Sequence, residues 1–343
     1  MLDPSTPENS TTVRSSESTS RPRDHRGAAR PARSKRKHGR AALRLARAAL
    51  QTAYIVSEDL GTSLAERLFI TPRRHARPAR ERDVLATARE LSIDIRLRSP
   101  RWNGARRTLA AWRWGFGPTV LLVHGWEGRG SQLGAFVQPL VDAGMSVVAF
   151  DAPGHGDSPD HQLYLTDLAD AVADVAATVG PLQAIVAHSF GAAAVLLAHA
   201  RSGLTAPRNI MISPNAIIDD AVVRFARMVG LDDSDRIALE QRLAEHTGLT
   251  LDSLALDRLV TGCEEALLVV HDRDDREVPF IHGERLATSW PNAQLLATTD
   301  LGHRRILRDA DVIAAVVEHA RFGVAPARSD LVREVDRWLG GSR

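Results

Sequence analysis

Six short apolar runs between residues 119 and 299 constrain the fold of this chain more than any other feature of its sequence. They are rich in Val, Ile and Leu, as is typical of strands covered on both faces. Helical patterns with a following glycine separate several of them, as at 166–179 and 190–202. This alternation predicts an α/β fold, with a mostly parallel central sheet and helices on both faces. The runs begin at Thr119, Ser146, Gln183, Asn209, Ala266 and Ala293, and alternating segments from Ser92 and Thr108 predict an antiparallel pair before them.

The rest of the chain completes a five-part organisation. Residues 1–40 are Ser/Thr-rich and then basic, and they predict a disordered tail because few large apolar residues are present to offset the entropy cost of ordering. Residues 41–91 predict an N-terminal segment of two short helices. The α/β core follows in two parts, 92–214 and 263–343. The residues between them, 215–262, are too many for a simple crossover and predict a helical cap insertion.

The charge distribution and the cysteine content of the chain indicate which binding partners and which cellular compartment to expect. Lys and Arg outnumber Asp and Glu by 24 to 11 within residues 1–107, although the net charge of the whole chain is only +2. The basic tail could therefore contact an acidic surface weakly, and a passive, solvated tail is the alternative. The single cysteine, Cys263, excludes an intramolecular disulfide. No signal peptide or run of ~18 apolar residues is present, so we expect a cytoplasmic protein with no integral membrane segment.

Ser189 lies at the junction between a predicted buried strand and an Ala-rich predicted helix. A serine at such a strained turn exposes its hydroxyl above the sheet, where the helix N-terminus favours negative charge. Gly191 matches the second glycine of the G-x-S-x-G nucleophile elbow, whereas Ala187 replaces the first. The alternative is a helix-capping serine with a chance glycine two residues later. The strand and helix on either side favour a nucleophile.

From about 117 to 320 the chain resembles the α/β-hydrolase fold superfamily, and in particular its serine esterases and lipases. The segments that carry the resemblance are VLLVHGWEGRG, FDAPGHGDSP, AHSFG, LLVVHDRDDREVP and TTDLGHRRIL, which occur in the order that this family uses. The first segment resembles the turn that contributes to the oxyanion hole. The resemblance implies that the backbone N–H groups of Trp126 and Phe190 form this hole.

A serine hydroxyl needs a histidine to accept its proton, and the histidine needs an acid to fix its tautomer. The last two segments supply both, because the resemblance implies Asp275 as the acid and His303 as the base. Asp274 is the alternative acid, and Asp272 stands where glycine is usual.

The remaining histidines predict no metal site, because no pair has the spacing of a zinc-binding helix such as H-E-x-x-H. We interpret His124 as a brace for the oxyanion turn, His188 as a support beside the nucleophile and His155 as structural. Dinucleotide-binding and Walker-type glycine patterns are missing, so we expect no cofactor.

The implied function is a serine hydrolase that cleaves an ester-type bond of a small, acyl-bearing substrate through an acyl-enzyme on Ser189. A carboxylesterase or thioesterase fits, whereas family members that use an aspartate nucleophile are disfavoured. The alternative is a non-catalytic ligand-binding or interaction protein on the same scaffold. Within the predicted cap, Phe225 and Met228 are candidates for lining a substrate pocket, and the alternative is that they only pack the cap on the core.

Overall fold

The computed structural model describes residues 32–323, with side chains from residue 41 onward. The first helix is α1 (Ala32–Val56). The chain divides into two compact units, of which the first ends at Leu45 and the second begins at Ala46 and holds the rest of the described chain. Most of the predicted tail lies outside the described residues. The helix nevertheless begins earlier than the predicted residue 41, because Ala, Arg and Lys favour helical backbone even where few apolar residues are present.

One eight-stranded sheet forms the centre of the second unit. Its strands are β1 (Arg89–Leu97), β2 (Ala105–Trp114), β3 (Thr119–Val123), β4 (Ser146–Phe150), β5 (Leu182–His188), β6 (Arg208–Ile212), β7 (Ala266–Asp272) and β8 (Ala293–Thr298). The strand order is β1-β2-β4-β3-β5-β6-β7-β8. β2 is antiparallel to both β1 and β4, and the other neighbours are parallel. The predicted α/β class, the antiparallel pair and the positions of all six strands are therefore confirmed. Five of the six runs are buried, whereas the prediction of burial was wrong for β8, which lies at the edge of the sheet and is partly exposed.

Two layers of helices cover the faces of this sheet, and eleven α-helices follow α1 in the described residues. They are α2 (Glu58–Ile70), α3 (Ala79–Leu85), α4 (Val137–Asp142), α5 (Leu165–Val179), α6 (Phe190–Ser202), α7 (Ile218–Val229), α8 (Asp233–Thr247), α9 (Leu256–Leu259), α10 (Ile281–Ser289), α11 (Gly302–Arg305) and α12 (Ala310–Phe322). One buried apolar layer packs α5, α6 and α10 against the sheet. The opposite layer packs α4 and α12. The carboxyl ends of the parallel strands meet at one edge, where α/β proteins build their sites.

The long connection between β6 and β7 contains the helices α7, α8 and α9. The N-cap of α8 is Asp232, whose side chain accepts the Asp235 N–H. Ser234 and Asp235, which are also common capping residue types, lie inside the first turn of α8 instead. No helix within the described residues is both long and apolar enough to cross a membrane.

The helices α7 and α8 pack on α2. The Phe225 ring on α7 meets the Phe69 ring on α2 edge to face, with ring centroids 5.0 Å apart. On α8, Arg242 donates to the Ser63 hydroxyl at 2.6 Å, and His246 Nδ1 lies 2.6 Å from Glu66 Oε1. The N-terminal helix α2 therefore serves as a support for the inserted helices.

Candidate active site

Ser189 stands between β5 and α6 with a left-handed backbone, at φ 56° and ψ −119°. A non-glycine residue adopts this region only where its surroundings hold it there. The Ser189 N–H donates to the Ile212 carbonyl on β6 at 3.0 Å, and the Ser189 carbonyl accepts the N–H groups of Ala192 and Asn215. Its side chain makes no helix-capping hydrogen bond. The helix-capping alternative is therefore wrong, and the hydroxyl is free for another partner.

Two glycines allow the loops around Ser189 to approach closely. A Cβ on Gly191 would lie 2.5 Å from the His124 carbonyl oxygen, and one on Gly125 would lie 2.9 Å from the Ser189 Cβ. Both distances are below any real contact, so side chains at these positions would push the strand ends apart. Ala187, in contrast, is accommodated in the core with no exposed surface.

The structure brings Ser189, His303 and Asp275 together from three separate connections. His303 lies on the short helix α11, which follows β8, and Asp275 lies in the loop after β7. His303 Nδ1 is 2.7 Å from Asp275 Oδ2, and His303 Nε2 is 3.0 Å from Ser189 Oγ. With Nδ1–H donating to the carboxylate, Nε2 is left to accept the serine proton. The three residues form one unbroken hydrogen-bonded chain, and all are at least nine-tenths buried.

The Asp275 carboxylate is held as an anion. Its Oδ1 accepts the backbone N–H groups of Glu277 and Val278 at 2.8 and 3.0 Å. Burial alone would raise its pKa, but contacts with His271 and His303 outweigh burial and hold the pKa well below its ordinary value. His271, whose Nε2 is 3.6 Å from Asp275 Oδ2, is a contact that the sequence analysis did not identify.

The neighbouring aspartates face elsewhere. Asp274 is exposed, and its Oδ2 accepts the Asp300 N–H at 3.1 Å. Asp272 is fully buried and turns toward the start of the His303 loop. Neither carboxylate has a hydrogen bond to His303 within the described chain. The geometry thus favours Asp275 over Asp274 as the acid.

The turn after β3 carries Trp126. It closes with the Gly128 N–H donating to the Gly125 carbonyl at 3.0 Å. Among the described residues, the Trp126 N–H has no hydrogen-bond acceptor, and the Phe190 N–H is in the first turn of α6, where no intrahelical acceptor exists. The two rings meet edge to face with centroids 5.6 Å apart. Both amides are available for an oxygen beside Ser189.

Three buried histidines fix these loops. His124 Nδ1–H donates to the Gly125 carbonyl at 2.7 Å, and His155 Nε2 accepts the Glu127 N–H at 3.1 Å. His188 Nε2–H donates to the His303 carbonyl at 3.0 Å. Burial is the main cause that lowers their pKa values, to about 4 for His124 and about 3 for His155 and His188. All three histidines are therefore neutral at pH 7.

These pKa values predict that acid destabilises the protein. The three pKa values are depressed in the folded state, so the unfolded chain binds more protons below pH 6.5, and the stability present above that pH is lost as pH falls. Each histidine contributes a slope of up to about 1.4 kcal/mol per pH unit. Burial also lowers the pKa values of His282 and His319, which add to this loss of stability. Burial raises the pKa of Asp167 to about 6 and also raises the pKa values of Asp151 and Asp170, and these carboxyls oppose the loss.

Urea unfolding at pH 7, 6 and 5 measures the net effect. We expect the free energy of unfolding to fall across this range, because histidines of the unfolded chain begin to bind protons near pH 6.5, whereas the buried carboxyls oppose them only at lower pH. A free energy that stays constant or rises toward pH 5 would contradict the assignment of these histidines as buried and neutral.

The described ring contact and hydrogen bonds of Phe225 and Met228 are with Phe69 and Arg47 and not with the hydrogen-bonded chain. Phe225 packs on Phe69, as described above, and Met228 is half exposed, with its carbonyl accepting two hydrogen bonds from Arg47. A cavity of about 550 Å³ between α7, α8, α9 and α10 is lined by other residues, Val223 and Leu254 among them. The role of Phe225 and Met228 in substrate binding stays a prediction.

Within residues 32–323, no group of three or more His, Cys, Asp or Glu side chains is placed to hold a metal ion. Cys263 is a free, buried thiol, and burial raises its pKa to about 12. It has no thiolate character for catalysis or redox chemistry.

Comparison with known proteins identifies similar sequences. The model of the Alpha/beta hydrolase family matches residues 120–316, which is more than half of the chain. A pimeloyl-[acyl-carrier protein] methyl ester esterase from Stenotrophomonas maltophilia is 25% identical over 62% of this chain and 96% of its own length. An esterase of the same name from Aromatoleum aromaticum is 26% identical over 59% of this chain and 97% of its own length.

Solved structures show the same fold. The Pyrococcus furiosus esterase Pf2001 has a TM-score of 0.54 at 15% identity, over 73% of this chain and 98% of its own. Rv0554 from Mycobacterium tuberculosis has a TM-score of 0.53 at 18% identity, over 66% of this chain and 97% of its own. At such identities the likeness concerns the fold alone.

Proposed function

The chain belongs to the alpha/beta hydrolase family, and we propose that it is a serine ester hydrolase with Ser189, His303 and Asp275 as its catalytic triad. The observation that carries the proposal is the hydrogen-bonded chain from Asp275 Oδ2 through both nitrogens of His303 to Ser189 Oγ, at 2.7 and 3.0 Å. An acid, a base and a nucleophile in this arrangement are the parts that acyl transfer requires.

Acylation begins with the attack of Ser189 Oγ on the ester carbonyl carbon. His303 Nε2 takes the hydroxyl proton, and the imidazolium that forms is stabilised by the Asp275 carboxylate on its other side. The carbonyl oxygen becomes an oxyanion. The N–H groups of Trp126 and Phe190, both without an acceptor in the described chain, donate to it.

Collapse of this tetrahedral intermediate breaks the bond to the leaving alcohol, which takes its proton from His303 Nε2. The acyl group is then bonded to Ser189 Oγ. A water molecule delivers a hydroxyl group to the acyl carbon while His303 accepts its proton, and the same oxyanion hole stabilises the second intermediate. Collapse of this intermediate breaks the bond between the acyl carbon and Ser189 Oγ, Oγ takes the proton back from His303 Nε2, and the carboxylic acid leaves.

The relatives support an ester as the substrate. Both curated relatives carry the name methyl ester esterase, and both are covered by this chain over nearly their whole length. We propose a carboxylic ester of a small acyl-bearing molecule in preference to a thioester. The alternative is a non-catalytic protein with the same fold. Such a protein would be folded but would not hydrolyse esters.

Stopped-flow hydrolysis of p-nitrophenyl acetate, butyrate and octanoate tests the proposal. An acyl-enzyme predicts a burst of p-nitrophenol approaching one equivalent of protein if deacylation is slower than acylation, followed by steady turnover. The chain length that turns over fastest gives the size of the acyl site. Folded protein without turnover on any ester of the series would favour the non-catalytic alternative.

A prediction concerns the size of the acyl group. If Phe225 and Met228 contact it, then Phe225→Ala and Met228→Ala should each lower kcat/KM on the octanoyl ester by about 5- to 150-fold and on the acetyl ester much less, because each lost apolar contact costs about 1–3 kcal/mol. Measurement of kcat/KM for both esters provides the comparison.

Phe69→Ala is the matched control, since Phe69 is the ring on which Phe225 packs. If Phe69→Ala reproduces the octanoyl-specific loss of Phe225→Ala, Phe225 acts through packing on α2. Equal losses on both esters in Phe225→Ala and Met228→Ala would place the acyl site elsewhere.

A further inference from the structure

Asp272 is a buried aspartate that takes part in no step of the proposed mechanism. It is the last residue of β7, and it has no exposed surface. A buried carboxylate is costly to accommodate unless its oxygens are hydrogen-bonded. The partners of Asp272 therefore indicate what the side chain contributes.

Those partners come from both catalytic loops. Oδ1 accepts the N–H of Asp274, directly before the proposed acid. Oδ2 accepts the Thr298 hydroxyl at 2.8 Å and the Leu301 N–H at 3.0 Å, both on the segment that leads to His303. One carboxylate thus joins the loop of the acid to the loop of the base.

Hydrogen bonds alone stabilise this anion. No Lys or Arg pairs with Asp272 in the part of the chain described. Burial acts to raise its pKa, but the hydroxyl of Thr298 and the backbone N–H groups of both loops lower it below its ordinary value. Asp272 is therefore ionised at pH 7, and its charge is held in place by the two segments that it connects.

From these contacts we propose that Asp272 is a positioning residue, which sets the relative placement of the Asp275 and His303 loops and so the hydrogen bond between Asp275 and His303. The proposal rests on the proposed function of the triad. The β7–β8 pairing continues only to the backbone bond from the Arg273 N–H to the Thr298 carbonyl. Beyond that bond, two carboxylates connect the loops: Asp272, buried, accepts the Leu301 N–H, and Asp274, exposed, accepts the Asp300 N–H.

The test uses Asp272→Asn in the full chain. Asparagine fills the same volume but has one acceptor oxygen, so its amide group must face a donor N–H or hydroxyl on one of the loops. We expect kcat for p-nitrophenyl butyrate to fall about 10- to 100-fold with KM changed less than about threefold, because a small misplacement of catalytic groups lowers the rate of the chemical step.

Two variants serve as comparisons. Thr298→Val removes one of the donors to Asp272 and should lower kcat by less than Asp272→Asn. Asp300→Asn removes a negative charge from the same loop, and its side chain makes no hydrogen bond in the described structure. Asp300 has φ 61°, a conformation that asparagine tolerates. Its kcat should stay within about twofold of the wild type.

A proton NMR measurement gives a readout that does not require activity. The His303 Nδ1–H, in a 2.7 Å bond to a carboxylate, should give a far-downfield resonance in the wild type that is absent from His303→Ala. In Asp272→Asn we expect this resonance to broaden or move upfield, and in Asp300→Asn to stay in place.

An unchanged resonance and an unchanged kcat in Asp272→Asn would overturn the proposal, and so would a lower melting temperature as its only effect. A failure of the proposed function is a separate result. Wild-type protein that neither hydrolyses esters nor reacts at Ser189 would refute the function, whereas the resonance would still report whether Asp272 positions His303.

Discussion

Replacement of Ser189 with alanine is expected to lower kcat for p-nitrophenyl esters by about three or more orders of magnitude. The hydroxyl oxygen is the atom that bonds to the acyl group, and no other described side chain takes its place 3.0 Å from His303 Nε2. Alanine keeps the backbone bonds of residue 189 to Ile212 and Asn215. The variant should therefore fold normally.

Steady-state kinetics with a highly purified variant measures this loss, and circular dichroism with urea unfolding controls for the fold. The residual rate should show no burst of p-nitrophenol. A Ser189→Ala protein that keeps more than about a tenth of wild-type kcat would refute the assignment of the nucleophile.

The acid of the triad gives the second large effect, with Asp275→Asn expected to lower kcat by about 10³- to 10⁴-fold. Asp275 Oδ1 accepts two backbone N–H groups, so the carbonyl oxygen of an asparagine would stay on that side. Its amide group would then face His303 Nδ1 and donate to it. This donation forces the proton of a neutral His303 onto Nε2, the nitrogen that must accept the proton of Ser189.

Asp274→Asn is the matched control, because it removes the same charge one residue earlier and its carboxylate contacts the Asp300 N–H. We expect a loss of less than about tenfold, with Asp272→Asn between the two. Measurement of kcat at pH 7–8 for all three variants ranks the three aspartates by their contribution to catalysis. A larger loss in Asp274→Asn than in Asp275→Asn would show that the acid is one residue from its proposed position.

The fold and the position of Ser189 could be predicted from local patterns, whereas Asp275 and His303 were implied by the resemblance to the α/β-hydrolase superfamily. Buried strands appear as short apolar runs, and Ser189 follows one of them at the start of a helix. Asp275 and His303 follow two further strands, and parallel strands bring their carboxyl ends to one edge of the sheet. The structure accordingly places all three residues in one hydrogen-bonded chain.

Contacts between side chains distant in sequence could not be predicted in this way. Two of the three donors to Asp272 are 26 and 29 residues away, and His246 pairs with Glu66 over 180 residues. The residues next to Asp272 or His246 in the sequence do not indicate its partner, because the register of the strands and the path of the loops determine such pairs. The aspartates of the segment DRDD were therefore hard to separate from sequence, whereas their partners in the structure distinguish them.

The early start of α1 and the N-cap of α8 show a different limit of prediction from sequence, which concerns the ends of helices. Residues 32–40 have the composition of a tail, and Ser234 is as good a cap as Asp232 by residue type. Helix ends depend on which competing local hydrogen bond forms, and sequence rules rank these alternatives without deciding among them.

The most direct test of the central claim is peptide mapping after treatment of the folded protein with a fluorophosphonate. We expect one covalent adduct per chain, located on Ser189. Labelling should be strongly reduced in Asp275→Asn and His303→Ala, because the serine is no longer activated. An adduct on any other residue, or no adduct in folded wild-type protein, would contradict this claim.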